Sequence, residues 1–423
     1  MAAINLPYGE GCLQVEMPDE WLGEVAVPSE AAPAADAAAL VREALSKPVG
    51  SPPLEQIARR GQRVALLLDD YTRRTPVHQI LPPVLEALQT AGVSTQDIRL
   101  VVASGSHRPM SDSELLDKLG ADLLMRFPVI QTAGGEAQMV DLGMTGNGIP
   151  AWVHRAVLES DLRIGIGMIT PHMDAGFSGG GKIILPGACG QVTVDAFHAR
   201  QADDPDNRLG QIQAPLRLDL EQFVHEQHLL DFIVNAILTI DDRLYQCVAG
   251  DFIAAHRVGA AYARQACGAP IKRRYPVVVA SSYPHHEDLW QSLKGLWSGD
   301  LMTAEGGTLI LATPLAEGLG GYPHLAQYLA CTPDELRAGL SSGNLLDPKS
   351  AATALMIQRR QQRLRIALVT SGLPRQEVER MGFGYYPSLE AALQQTVSRL
   401  PVQARTGSAG ILTHGGILLP LIS

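Results

Sequence analysis

Several features that define whole classes of proteins are missing from this sequence. Its five cysteines are scattered, odd in number and never form a C-x-x-C pair; they stand at positions 12, 189, 247, 267 and 331. This pattern argues against a disulfide framework or a cysteine zinc site, and it is typical of reduced thiols. No apolar run approaches the roughly 18 residues of a membrane span, and no charged-then-apolar signal opens the chain. We therefore expect a soluble, cytoplasmic protein without a membrane partner.

Positive charge is also scarce. Lys and Arg total 34 against 44 Asp and Glu, which gives a formal net charge of −10. A surface that tracks nucleic acid phosphates needs clustered Lys and Arg, so we expect no nucleic acid partner. A small anionic ligand in a local basic pocket is compatible with the same charge. The hydrophobic content of 46% over 423 residues is ample for a large core.

What the chain does contain is a regular alternation of buried strands and helices. Near-continuous apolar runs such as 63–70 and 98–107 are followed by helical patterns. This alternation predicts an α/β fold with largely parallel sheets. We expect two α/β domains with an active-site cleft between them. Residues 1–270, completed by 391–423, would form the N-terminal cofactor-binding domain, and residues 271–390 the C-terminal substrate-closing domain.

Polar side chains follow three of the predicted strands. Asp70 and Arg73 follow the first strand, His107 the second and His172 the third. In open α/β sheets, ligands bind beyond the carboxyl ends of the strands. The sequence therefore predicts that an arginine and two histidines meet at one functional site.

The Gly-rich segment PHMDAGFSGGGKIILPG (171–187) resembles a phosphate-binding P-loop superficially, through Gly176-x-x-x-x-Gly181-Lys182. However, Ile183 replaces the Ser or Thr whose hydroxyl would hold magnesium. A proline soon after it breaks the helix that should begin at the lysine. What remains is Lys182 on a loop almost without side chains, where an amine can become a nucleophile or a covalent attachment point.

Taken together, these segments resemble the nickel-pincer-nucleotide lactate racemases and their 2-hydroxyacid racemase and epimerase relatives. The resemblance runs through DYTRRTP (70–76), ASGSHRP (103–109), the Gly-rich segment, His198 and SSYPHHEDLWQSLKG (281–295). It implies a nickel-pincer nucleotide made from nicotinic acid mononucleotide, joined to Lys182 through a thioamide. Nickel would be held by two sulfurs and one carbon of the pincer, with His198 as the fourth ligand. Separate biosynthetic enzymes would supply this cofactor.

The same resemblance implies a reaction. A 2-hydroxy acid would be racemised or epimerised by proton-coupled hydride transfer to the pincer. His107 and His172, on separate strand ends, would act as acid and base on opposite sides of the substrate. Arg73, Gln291 and Lys294 would bind the substrate carboxylate, since the last two share one helix face.

The cofactor's phosphate has a candidate site in the same region. The Gly-rich loop and a nearby hydroxyl would bind it through Thr72, Ser178, Gly179, Gly180 and Gly181.

Other interpretations remain open at this point. One is a nucleotide-dependent phosphotransferase that uses residues 176–182. Another is a non-catalytic nucleotide- or metal-binding protein, and a third is a zinc hydrolase that uses His107, His172 and His198. The substrate is open too, because Trp290 stands where members of the resembled family often carry Tyr.

Overall fold

The structure is a computed structural model that describes residues 1–29, 31–202 and 204–422. The chain forms two compact units. The central unit comprises Glu30–Ala266, and the terminal unit combines Met1–Ser29 with Cys267–Ser423. Each unit is built on a six-stranded sheet flanked by helices, so the predicted α/β class with largely parallel sheets is confirmed.

In chain order the strands are β1 (Ala2–Tyr8), β2 (Gly11–Met17), β3 (Leu22–Ala26), β4 (Val64–Asp69), β5 (Ile98–Ala103), β6 (Val129–Gln131), β7 (Met139–Met144), β8 (Pro150–His154), β9 (Leu162–Met168), β10 (Pro171–His172), β11 (Gly176–Phe177), β12 (Phe232–Leu238), β13 (Leu244–Gly250), β14 (Gly268–Ile271), β15 (Tyr275–Ser281), β16 (Thr303–Ala312), β17 (Arg365–Val369), β18 (Gly384–Tyr386), β19 (Ala409–Leu412) and β20 (Leu419–Ile422).

The helices are α1 (Ala37–Ser46), α2 (Leu54–Ile57), α3 (Val77–Thr90), α4 (Asp112–Leu119), α5 (Ala121–Arg126), α6 (Arg155–Leu158), α7 (Gln191–Arg200), α8 (Pro215–Glu226), α9 (Ala254–Cys267), α10 (Leu289–Met302), α11 (Pro323–Leu329), α12 (Pro333–Ser342), α13 (Pro348–Gln361), α14 (Arg375–Arg380) and α15 (Leu389–Ser398).

The sheet of the central unit has the strand order β13-β12-β9-β4-β5-β6. Its strands pair in parallel except β13, which runs antiparallel to β12. The central strand β4 reads VALLLD, and its first five residues are buried. A strand covered by helices on both faces needs such a continuous apolar run, because neither face meets water.

Local signals set several boundaries. Helix α4 begins with a capping box, in which Ser111 and Glu114 exchange side-chain and backbone hydrogen bonds. Helix α3 starts at Val77 and carries two prolines, Pro82 and Pro83. The apolar face of α3 packs into the core of the central unit, and this tertiary contact outweighs the low helix propensity of proline.

The sheet of the terminal unit has the order β18-β17-β16-β15-β19-β3, with parallel pairing throughout. The hairpin β1–β2 packs Leu6, Val15 and Met17 into the same core as Val277 and Ile310. Residues near both ends of the described chain are therefore part of one unit.

The sequence-based domain boundaries differ from this arrangement. Residues 391–423 do not complete the N-terminal unit, because β19 lies between β15 and β3 and β20 pairs with β14. Residues 1–29 also lie outside the unit that holds the Gly-rich loop. The apolar pattern of a strand reports that it is buried but not which sheet buries it. Among the described residues, no helix combines the length and the apolarity that crossing a membrane requires.

Candidate active site

Three neighbouring strands of the central sheet carry the predicted site residues beyond their carboxyl ends. Strand β4 lies between β9 and β5 and is parallel to both. Asp70 and Arg73 follow β4, His107 follows β5, and His172 follows β9 on the short strand β10. The strand order therefore brings these segments to one edge of the sheet, as the sequence predicts.

Asp70 and His107 form a hydrogen-bonded pair. The Nδ1 atom of His107 lies 2.6 Å from Oδ2 of Asp70. Burial of Asp70 would raise the pKa of its carboxyl group, but the hydrogen bond and the charge of His107 outweigh burial and lower this pKa. The ionised carboxylate accepts a hydrogen bond from Nδ1–H, so the lone pair of neutral His107 lies on Nε2. This arrangement orients His107 as a base.

The loop after β4 holds Asp70 in place. The hydroxyl and the backbone N–H of Thr72 both donate to Oδ1 of Asp70, at 2.6 and 3.0 Å. The Arg73 guanidinium donates to the Thr72 hydroxyl at 3.2 Å. Thr72 was predicted to bind the cofactor's phosphate, but its hydroxyl here connects Asp70 with Arg73.

A buried lysine on helix α4 fixes the same loop. Lys118 Nζ donates to Oδ1 of Asp69 at 2.8 Å, to the carbonyl of Asp70 at 2.7 Å and to the carbonyl of Arg73 at 3.1 Å. Its side chain is only 7% exposed. All three donors of the ammonium group are therefore used within the protein. Sequence analysis missed this role, because a lysine in an amphipathic helix normally faces water.

The Gly-rich segment makes backbone approaches that a side chain would block. Gly176 has φ +72°, and a Cβ atom there would lie 1.8 Å from the carbonyl oxygen of Gln211. Gly180 has φ +57°, and its Cβ would come within 2.9 Å of the His256 ring. Glycine is required at both positions for backbone conformation and for space.

Buried polar side chains donate hydrogen bonds to the backbone carbonyls of this loop. Arg217 is fully buried and donates to the carbonyls of Ala175, Phe177 and Gly179. His256 Nε2 donates to the Ser178 carbonyl at 2.9 Å. These bonds satisfy the carbonyls of an irregular segment that has little secondary structure of its own.

Burial also sets the charge state of His256. Desolvation, followed by the nearby Arg217, lowers its pKa well below the ordinary value. His256 is therefore a neutral donor under the loop.

The carboxylate of Asp174 lies within 4 Å of three predicted site residues. Its Oδ2 atom lies 3.6 Å from His198 Nε2, 3.7 Å from His172 Nδ1 and 3.9 Å from Lys182 Nζ. The residue is 1% exposed. One buried carboxylate thus faces three of the predicted site residues.

Lys182 has an altered proton affinity. Burial lowers the pKa of its amine to about 7; Asp174 opposes this shift, whereas Arg217 and Arg73 add to it. An ordinary lysine has a pKa near 10.4 and stays charged at neutral pH. A substantial part of the Lys182 amine is therefore neutral and nucleophilic near neutral pH.

His172 is held neutral by the same surroundings. Burial, followed by the charges of Lys182 and Arg73, lowers its pKa well below the ordinary value. The backbone N–H of Asp174 donates to His172 Nδ1 at 3.2 Å. In this tautomer Nε2 carries the proton. Neutral His107 therefore has a lone pair on Nε2, whereas His172 has a proton there.

His198 lies on helix α7 with a defined tautomer. Its Nδ1 donates to the Val194 carbonyl at 2.7 Å, which leaves the lone pair on Nε2. Histidines that bind metal typically donate their other ring nitrogen to a carbonyl or carboxylate in this way. The ring of Phe197 faces the Lys182 ammonium at 4.9 Å and lines the same region.

Gln291 and Lys294 lie in the terminal unit, on helix α10. Both side chains are half-buried, whereas Ser292, Leu293 and the following turn are buried. They share the accessible face, as their spacing predicts.

Phosphate binding by Ser178, Gly179, Gly180 and Gly181 stays a prediction. The Ser178 hydroxyl donates to the Met168 carbonyl at 2.8 Å, and the Gly180 N–H donates to Asn235 at 2.9 Å. These bonds are internal to the protein, so they stabilise the loop itself.

Two of the alternative functions find little support in this geometry. No helix begins at Lys182; instead a short 3-10 turn, Gly180–Ile183, is followed by Pro186, so the helix N-terminus of a P-loop is missing. Within the described ranges, no group of three His, Cys, Asp or Glu side chains is arranged to hold a metal ion. The zinc hydrolase interpretation needs such a group, whereas a metal held largely by an organic pincer needs one histidine.

Sequence analysis missed several contributors. Asp174 could have been found, because an acidic residue two positions after His172 in a Gly-rich loop is a local signal. Arg217, His256 and Lys118 act through tertiary contacts on distant helices, and their sequence surroundings are those of ordinary amphipathic helices.

The chain is similar to a described family and to known proteins. Residues 8–210 match the family described as the lactate racemase N-terminal domain. The chain is 30% identical over 335 residues to a lactate racemase from Lactiplantibacillus plantarum, covering 76% of this chain and 77% of that protein. It is 27% identical over 327 residues to a lactate racemase from Thermoanaerobacterium thermosaccharolyticum, covering 76% of each.

Two solved structures share the fold. The lactate racemase apoprotein from Thermoanaerobacterium thermosaccharolyticum superposes with a TM-score of 0.85 at 24% identity, over 99% of this chain and 100% of that one. A protein from Thermotoga maritima superposes with a TM-score of 0.67 at 20% identity, over 91% and 98% of the two chains.

The geometry around Lys118 generates a stability prediction. Replacing Lys118 with Met keeps the apolar stem but leaves the Asp69 carboxylate and two carbonyls without their donor. Breaking one side of a buried pair costs about 3–5 kcal/mol, and we expect a loss of unfolding free energy of that order in urea denaturation. The matched control is Lys272→Met at an exposed lysine, which should change stability by less than about 0.5 kcal/mol. Equal stability of the two variants would contradict the role assigned to Lys118.

Proposed function

The chain belongs to the lactate racemase family and is an isomerase of the racemase type; from this premise we propose that it racemises or epimerises a 2-hydroxy acid with a nickel-pincer nucleotide tethered to Lys182. The observation that carries the proposal is the convergence of a lysine amine of pKa about 7 and the histidines 172 and 198 on the Asp174 carboxylate. A strongly lowered lysine pKa beside a specific carboxylate and oriented histidines is typical of functional sites.

The residues present fit the proposed cofactor. A covalent tether through a thioamide needs an amine that is neutral at physiological pH, which Lys182 provides. A nickel ion held by a pincer needs one further ligand, and imidazole is a suitable donor for nickel. His198 offers Nε2, while Nδ1 is fixed on the Val194 carbonyl. Lys182 Nζ and His198 Nε2 lie 3.9 and 3.6 Å from the same oxygen of Asp174, so a single small molecule could be joined to both.

When bound, the cofactor would supply the two-electron acceptor for the hydrogen that leaves carbon 2 of the substrate. The protein's part is to move the hydroxyl proton. His107 would accept it at Nε2, because Asp70 holds the proton of the neutral imidazole on Nδ1 and stabilises the cation that forms. Thr72 and Arg73 keep the Asp70 carboxylate in place during this change.

His172 would serve the opposite face of the substrate. Its buried surroundings keep it neutral, with the proton on Nε2, so it can donate a hydrogen bond to an oxygen that faces it. For the other enantiomer the two histidines would exchange roles, as microscopic reversibility requires. The substrate carboxylate would bind the Arg73 guanidinium. The same role for Gln291 and Lys294, which lie in the terminal unit, stays a prediction.

The cofactor assignment predicts distinct behaviour for two variants. After expression together with the cofactor-making enzymes, Lys182→Ala protein should show neither the covalent adduct nor nickel. His198→Ala protein should keep the organic adduct and bind nickel more weakly. Intact mass spectrometry and metal analysis measure both properties without any substrate.

The controls for this experiment are Lys182→Arg, which keeps the positive charge but cannot form a thioamide, and Lys272→Ala at an exposed position. The first should behave like Lys182→Ala and the second like the unchanged protein. Full activity in Lys182→Ala protein would contradict the covalent assignment.

The two-histidine mechanism predicts losses in both directions of racemisation. Because each turnover uses one histidine as base and the other as acid, His107→Ala and His172→Ala should each lower kcat by about 10²–10⁴-fold for either enantiomer. In single-enantiomer mixing experiments, the two variants should change the cofactor's absorbance with opposite enantiomers. His78→Ala, at an exposed histidine, is the matched control and should keep wild-type rates. A response of both site variants to the same enantiomer would rule out action on opposite faces.

A further inference from the structure

The carboxylate of Asp174 has no role in the proton transfers proposed above, although it lies beside the residues assigned to the cofactor. Its Oδ2 atom is 3.9 Å from Lys182 Nζ and 3.6 Å from His198 Nε2. The residue is 1% exposed. A carboxylate that is shielded from water in this way is unfavourable unless a cation or hydrogen-bond donors compensate its charge. The cation that faces Asp174 therefore contributes to the stability of the site.

In the protein without cofactor, the ammonium form of Lys182 is such a cation, because it lies within ion-pair distance of Asp174. A thioamide at Lys182 would remove this charge, since an amide nitrogen is not protonated at neutral pH. The carboxylate would then lie beside an uncharged group. Removing one partner of a buried ion pair leaves the other charge uncompensated, which is strongly unfavourable. Attachment of the cofactor at Lys182 thus creates a need for another positive charge close to Asp174.

The guanidinium groups of the region are engaged with other acceptors. Arg217 donates to three backbone carbonyls of the Gly-rich loop, and Arg73 donates to the Thr72 hydroxyl at 3.2 Å. Turning either group toward Asp174 would leave those acceptors without their donors, which is costly for buried groups. A cation that arrives with the cofactor compensates the carboxylate without such a loss.

His198 also faces Asp174 with an acceptor atom. Its Nδ1 atom donates to the Val194 carbonyl, so the lone pair of the neutral ring lies on Nε2. A lone pair and a carboxylate oxygen 3.6 Å apart repel each other unless a cation lies close to both. Bonds from a divalent metal such as zinc to these atoms are about 2.1 Å long, so two ligands of one ion lie about 3–4 Å apart. The observed separation falls within this range.

We propose that Asp174 holds nickel in the cofactor-loaded protein: its carboxylate pairs with the Lys182 ammonium before attachment and compensates the charge of the metal at His198 afterwards. The inference rests on the proposed function and adds a residue to its metal site. The pincer and His198 keep the four ligand positions that the family resemblance implies, and Asp174 supplies negative charge beside them. One carboxylate thereby couples attachment of the organic group to retention of the metal.

Nickel release tests this inference in the loaded protein. Asp174→Asn keeps the shape of the side chain and removes its charge. After expression together with the cofactor-making enzymes, intact mass gives the organic adduct, and metal analysis during a challenge with EDTA gives the rate of nickel loss. We expect Asp174→Asn protein to carry the adduct and to lose nickel about 10–100-fold faster than the unchanged protein. Release at the unchanged rate, or failure of the adduct to form, would overturn the inference.

The matched control is Asp112→Asn at an exposed position, which should release nickel at the unchanged rate. Thermal unfolding checks that both variants are folded.

A second measurement uses the protein without cofactor and Ni²⁺ alone. Lys182→Met removes the ammonium group, which competes with a metal for the Asp174 carboxylate. In equilibrium dialysis this variant should bind Ni²⁺ at least about tenfold more tightly than the unchanged protein, because the lost ammonium charge lies only 3.9 Å from the carboxylate. Adding Asp174→Asn to it should abolish the gain, and Lys272→Met at an exposed lysine should show none.

Equal affinity of Lys182→Met and the unchanged protein for Ni²⁺ would contradict the inference, and this comparison leaves Asp174 in place. A gain that persists in the double variant would contradict it as well.

The outcomes separate this inference from the function on which it rests. If the unchanged protein carries the adduct and nickel, and Asp174→Asn releases nickel no faster, the function stands and the inference falls. If the unchanged protein carries neither the adduct nor nickel, both fall.

Discussion

The burial of the Lys182 amine is the constraint on which the rest of the site depends. An ammonium group away from water is unfavourable, and here it lies near the fully buried Arg217, so its pKa falls to about 7. Asp174 partly compensates this cost and also faces His172 and His198. The carboxylate therefore lies close to all three nitrogen groups, while burial lowers the pKa values of Lys182 and His172 and favours their neutral forms. A surface lysine in the same sequence would be charged and unreactive.

The fold provides this burial through an irregular loop. Glycines let the loop lie against Gln211 and His256, at approaches that any Cβ would block. Arg217 then satisfies carbonyls that no strand or helix pairs. The other half of the site is built on regular structure, since β4 and β5 end side by side and bring Asp70 to His107. The Asp70–His107 pair and the buried Lys182 amine are thus positioned by different kinds of backbone.

Much of this could be predicted from the sequence, because the signals are local. The apolar runs indicated the buried strands, and the polar residues that follow β4, β5 and β9 indicated Asp70, His107 and His172. The parallel order of those strands explains why they meet. Arg217 and Lys118 were missed, because their roles arise only when distant helices pack. The sheet to which β19 belongs was missed for the same reason: its apolar residues would suit either core.

The central claim is that Lys182 is a buried amine with a pKa near 7, and its reactivity toward acetic anhydride tests this claim most directly. Acetic anhydride is small, carries no ionisable group and acetylates neutral amines only. Peptide mass spectrometry of the protein without cofactor gives the rate at Lys182 as a function of pH. Because the folded pKa is lowered, the rate should rise through about pH 7 and level off near pH 8, whereas exposed lysines such as Lys272 should keep accelerating toward pH 10. A Lys182 profile that follows that of the exposed lysines would contradict the account.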